Sequence, residues 1–147
     1  MRTLSVKIEI NCREHFSVLG FHHKPFTVQS SWFNGSCRTN TYRLEELLGS
    51  KLRALYQRRK GRDLYDLHRA LTSQSALDTE ALLHCYRQYM GFAVQHPPTA
   101  KQFLQNLQAK MTDSEFLGDI TALLRPDDPY RPQMAFETIK PLIERIS

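Results

Sequence analysis

The stretch TYRLEELLGSKLRALYQRRKGRDLYDL, residues 41–67, holds the change of pattern that decides the fold. From residue 44 the apolar spacing is helical. Leu44, Leu47, Leu48, Leu52 and Leu55 recur at three and four residues and predict an amphipathic helix. Gly61 interrupts the pattern. Leu64, Leu67 and Leu71 then mark a second short helix. Upstream of residue 43 the period is two. Leu4, Val6, Ile8 and Ile10 alternate as in a half-buried strand, and 25–33 and 36–43 read as two more. Asn34-Gly35 between them predicts the hairpin turn.

Downstream the helical period continues. Residues 76–93 form a third helix with Asp78 as its N-cap, and 96–111 a fourth after Pro97 and Pro98. Residues 114–124 form a fifth, and 133–146 a last one kinked at Pro141. The expected fold class is α+β, with a small antiparallel sheet over 1–43 and a helical bundle over 44–147.

Composition sets outer limits. In 147 residues, 41% hydrophobic and 24% charged is an ordinary globular balance. The net charge of +5 favours acidic partners, yet weakly. Cys12, Cys37 and Cys85 form no CxxC pair, which argues against structural zinc. No apolar run has transmembrane length, and nothing reads as a signal peptide, so a cytoplasmic protein with no membrane partner is expected. Adjacent His22 and His23 would point to opposite faces of a strand, and the other histidines lack ligand spacing.

Four features carry the chemistry. Lys51 falls on the leucine face of the first helix. Its stem either lies along the core edge with the ammonium reaching water, or it is held in a pocket as a point charge for phosphate. Lys51, Arg53, Arg58, Arg59, Lys60 and Arg62 place six cations and no acid between 51 and 62. That run fits a solvated helix end or an anion site for triphosphate or RNA backbone. Asp63 and Asp66 share a face at the start of the second helix, either charging its N-terminus or serving as pocket carboxylates. Tyr65 between them reads as a packing residue. Glu9, in VKIEIN, lies either on the solvent face of its strand or on a sheet face suited to a divalent metal.

These residues resemble the AbiEii/AbiGii nucleotidyltransferase toxin family. The likeness runs from residue 4 to about 72, through VKIEINCREHF, PFTVQSSWF and the block already quoted. Leu47 to Leu67 is its most specific part. The resemblance implies a polymerase-β-like nucleotidyltransferase sheet joined to a helical domain. It also implies a toxin of a toxin–antitoxin or phage-defence system, using nucleoside triphosphate and Mg2+ and in some members acting on transfer RNA. By position it implies Lys51 and Asp63 as pocket residues and Glu9 as a sheet carboxylate for metal. Arg62 and Asp66 support them, beside Arg58, Arg59 and Lys60 as nucleotide or RNA contacts.

The family's Gly-Ser turn followed by Asp-x-Asp is missing from this sequence. The chain is therefore expected to be a C-terminal portion lacking the metal-binding half. Its partner would be that half on a separate chain, or a second copy joined at the sheet edge. A non-catalytic nucleotide- or RNA-binding module is the alternative.

Overall fold

The computed structural model describes residues 14–74 and 76–146. The predicted strand over 4–10, with Glu9, and Cys12 lie outside them. Two antiparallel strands, β1 (Phe21–Gln29) and β2 (Asn34–Tyr42), come first. Six helices follow: α1 (Leu44–Gln57), α2 (Gly61–Ser73), α3 (Thr79–Ala93), α4 (Ala100–Lys110), α5 (Ser114–Gly118) and α6 (Pro132–Glu144). The fold is α+β, with the sheet ahead of the helices.

The hairpin turn differs from expectation. Asn34 is already in β2, paired with Gln29, and the connection is Ser30–Phe33. Ser30 explains the shift. Its hydroxyl donates to the Phe33 carbonyl at 2.9 Å and accepts from the Phe33 amide at 3.0 Å, while its amide donates to the same carbonyl at 2.9 Å. Those local bonds close the turn four residues early. Gly35 serves another purpose. A Cβ there would sit 2.8 Å from Cζ of Phe33, so the glycine leaves room for the far edge of that ring against the strand.

The core lies among the helices. α1 packs on α3 and α2, α2 packs on α6, and α4 bridges α1 and α6. Leu48, Leu52 and Leu55 of α1 meet Leu64, Leu82, Tyr86, Phe103 and Ile139 in one buried cluster. Leu44 and Leu47, expected on that face, are 39% and 41% exposed. Gly49 accounts for the rotation. A Cβ there would lie 2.7 Å from Cβ of Cys85 and 2.9 Å from the Leu82 carbonyl. α3 therefore sits directly on Gly49, and the buried stripe turns away from Leu44 and Leu47.

Helix ends follow local chemistry. Asp78 caps α3 by accepting from the Glu80 and Ala81 amides, both at 3.0 Å. Thr99 and Gln102 form a capping box at α4. The expected single helix over 114–124 is instead α5 and a separate 3-10 turn, Thr121–Leu123. The break falls at Gly118 and Asp119, where glycine weakens the helix and Asp119 commits its carboxylate to α2. α6 begins with Pro132 and runs through Pro141, whose ring forgoes one helical N–H bond. No helix among the described residues is long and apolar enough to cross a membrane.

Lys110 closes the other end of α1. Its buried ammonium donates to the carbonyls of Leu55 and, at 2.7 Å, Tyr56. These are orphan acceptors of the last helical turn. Burial, with Arg59 nearby, pulls its pKa down from 10.5 to about 8. The folded protein therefore sheds this proton before the unfolded chain does. Lys110 should make folding more favourable as pH rises from about 8 towards 10.5. Urea melts across that window should show the rise in the parent and its loss in Lys110→Met.

Candidate functional site

The corner between α1 and α2 gathers most of the residues singled out in the sequence. Gly61 makes the corner tight. A Cβ there would lie 2.1 Å from the Phe116 carbonyl oxygen, so α2 begins against the backbone of α5. The reversal brings Lys51, midway along α1, onto the first turns of α2. Its ammonium reaches Asp63 at 3.1 Å and Asp66 at 2.8 Å. Arg58, in the connection, grips Asp63 with two bonds, Nε to Oδ2 at 2.7 Å and Nη2 to Oδ1 at 2.8 Å.

Burial grades the cluster. Asp63 is fully buried, while the Lys51, Asp66 and Arg58 side chains are 31%, 42% and 53% exposed. One carboxylate thus anchors two cations that both reach solvent. Burial alone would lower the Lys51 pKa, but hydrogen bonds to Asp66 and Asp63 outweigh it and raise it. The bond to Asp63 likewise raises Arg58. Both stay charged at neutral pH.

The rest of the basic run is partnered from distant sequence. Arg53 pairs with Glu14 and lies 5.6 Å from the Tyr89 ring centre. Arg59 meets Asp113 at 3.3 Å. Lys60 and Arg62 share Asp119 at 3.4 and 3.3 Å. The Arg62 amide adds a bond to Asp119 at 3.3 Å, and this bond with its two cations holds that carboxylate's pKa down against burial. Six cations in sequence therefore face five carboxylates in space: Glu14, Asp63, Asp66, Asp113 and Asp119. What distinguishes Lys51 is its fixed position beside solvent, not an excess of charge.

Tyr65 donates to Asp128 at 3.1 Å and stacks edge-on with Tyr130 at 4.9 Å. It faces the 124–131 connection, away from the lysine.

Sequence reading passed over Glu46. It is 1% exposed, and its carboxylate accepts from Ser17 Oγ (3.0 Å), Val18 N (2.7 Å), Leu19 N (2.9 Å) and Tyr89 OH (2.7 Å). It ties the segment entering β1 to α1 and α3. A signal was available, since Glu46, Gly49 and Arg53 share one helical face.

The donor set suits an anion better than a cation. Asp63 is fully buried and already shares its single charge between two cations. Among the described residues no three His, Cys, Asp or Glu side chains gather as a metal site. This corner does not fit a divalent metal.

A family model described as nucleotidyl transferase AbiEii toxin, type IV toxin–antitoxin system, matches residues 1–140. No curated protein and no solved structure matched the chain. The model covers both strands of the hairpin, the whole Lys51–Asp63–Arg58 corner and all but the end of α6. The chain therefore belongs to the AbiEii nucleotidyl transferase toxin family.

Proposed function

We propose that the α1–α2 corner is the phosphate-binding part of a nucleotidyl-transfer site, acting in a toxin of a toxin–antitoxin or phage-defence system. The observation that carries this is Lys51, held by a buried carboxylate on one side and open to solvent on the other. A lysine so placed meets a triphosphate as a point charge already oriented, with little side-chain entropy left to lose. Asp63 and Arg58 are positioning residues. Asp66, exposed beside Lys51, is the partner that an incoming phosphate displaces. Arg59, Lys60 and Arg62 are held by Asp113 and Asp119, so Lys51 and Arg58 are the cations left to meet the phosphate.

Transfer needs a second half. A divalent metal, when bound, would favour deprotonation of the attacking hydroxyl and stabilise the leaving pyrophosphate, and carboxylates outside this corner would have to hold it. Without Asp-x-Asp, this chain binds nucleotide and does not transfer it by itself. A separate chain or further segment bearing that motif completes the site.

The expected result is no incorporation of labelled nucleotide into total transfer RNA, or into the protein itself, with each triphosphate and Mg2+. Robust incorporation by the purified chain, lost in Lys51→Ala, would place a complete active site in these residues and overturn the division proposed.

A further inference from the structure

The connection that carries Arg58 is tied to a later part of the chain. Residues 58–60 link α1 to α2, and side chains from 110–119 reach this link or its flanks. Asp113 meets Arg59, and Asp119 meets Lys60 and Arg62. Those three cations are 72%, 40% and 46% exposed, so each pair holds its end only loosely. Lys110 is different. It is 6% exposed, and its ammonium donates to the carbonyls of Leu55 and Tyr56.

The end of α1 calls for that ammonium. Its last turn has no basic residue of its own, while its final carbonyls gather partial negative charge. α4 supplies the cation from outside. The two accepting carbonyls lie just before Arg58, whose amide belongs to the same turn and donates to Ala54 at 2.9 Å. Lys110 also senses the corner's anchor. Burial and then Arg59 lower its pKa, and Asp63 works against them. Among the described residues, Arg59 and Asp113 are the charged neighbours in its pocket, and α3 and α6 add no residue there. Stability does not account for the charge, since the folded state favours the neutral amine.

We infer that Lys110 is a positioning residue for the phosphate corner. Its ammonium fixes the end of α1 and hence Arg58, which with Asp63 fixes Lys51. This role rests on the reading of the corner as a phosphate site and adds to it a residue from a distant helix. When Lys110 loses its proton, the two carbonyls lose a charge-assisted donor and the last turn of α1 loosens. Arg58 then reaches Asp63 from a less defined backbone. Binding phosphate must order the corner again, and affinity falls.

Stability and triphosphate binding should therefore move in opposite directions as Lys110 titrates. A merely structural lysine gives no such divergence. The test is calorimetric titration of the full chain with each nucleoside triphosphate from about pH 7.5 to about pH 9.5, with urea melts at the same points. The terminal phosphate, with a pKa of about 6, is already ionised throughout. Lys51 and Arg58 have raised pKa values and keep their charge. Parent affinity should fall about fivefold across the window, a modest coupling between sites, while stability rises. Lys110→Met should bind throughout as weakly as the parent does at the alkaline end. Lys110→Arg stays charged and should hold the parent's stronger affinity throughout. Where the bulk of arginine disturbs the core, the parent profile and Lys110→Met decide.

A flat parent profile, or a fall that persists in Lys110→Met, would overturn the role of Lys110 and leave the corner's phosphate role standing. No binding by the parent at any pH would overturn both.

Discussion

Asp63→Ala should lower the melting temperature by about 10 °C, the largest loss expected from any single side chain at the corner. Asp63 is fully buried and accepts from Lys51 and from both arms of Arg58. Removing it leaves two cations facing each other across an empty volume. A buried pair stripped of one partner costs about 3–5 kcal/mol. Lys51 and Arg58 are partly exposed and can turn towards water, so the lower end applies, about 3 kcal/mol. For a chain of 147 residues that corresponds to the stated shift. Asp63→Asn keeps the volume but not the charge and should fall between parent and alanine. Differential scanning calorimetry of the three proteins measures it, and an unchanged midpoint in the alanine variant would remove Asp63 as the anchor.

Gly61→Ala should be nearly as damaging for a different reason. The added methyl would meet the Phe116 carbonyl oxygen at 2.1 Å, far inside contact distance. The atom it strikes is backbone, on a helix whose own side chain, Phe116, is fully buried in the core. Neither can yield cheaply, so α2 must back away from α5. Overpacking of this kind costs roughly 3 kcal/mol, the upper end of its usual range. The shift also pulls Asp119 from Arg62 and Lys60. Loss of stability should therefore appear with weakened protection of the amides that open α2, measurable by hydrogen exchange. Gly49→Ala on α1 tests the same principle against α3.

The gathering of the corner's residues was legible because it is local. Lys51, Arg58, Asp63 and Asp66 lie within sixteen consecutive residues, and helical periodicity together with a breaking glycine brings them to one place. Glu14, Asp113 and Asp119 were not legible as their partners. Arg59 and Asp113 are 54 residues apart, and no periodic pattern encodes a pairing at that range. An acid-free run in sequence looked like an anion site by charge alone, and only the fold revealed how nearly it is balanced. Asn-Gly is a strong statistical turn signal, but Ser30, through its hydroxyl and its amide, closes the turn earlier. Leucine spacing alone puts Leu44 and Leu47 in the core, because the close approach of α3 at Gly49 leaves no mark in that spacing. Glu46 lay hidden in an acidic first helical turn, where carboxylates usually serve the helix dipole.

Lys51, fixed by Asp63, should bind triphosphate. The most direct measurement is calorimetric titration of the purified chain with each nucleoside triphosphate, alongside Lys51→Ala and Asp66→Asn. Wild-type chain should bind, Lys51→Ala should lose the heat signal, and Asp66→Asn should bind a few-fold tighter because a competing carboxylate is gone. Binding unaltered in Lys51→Ala, or no binding of any triphosphate by the parent, would make the corner a structural ion cluster and contradict the account.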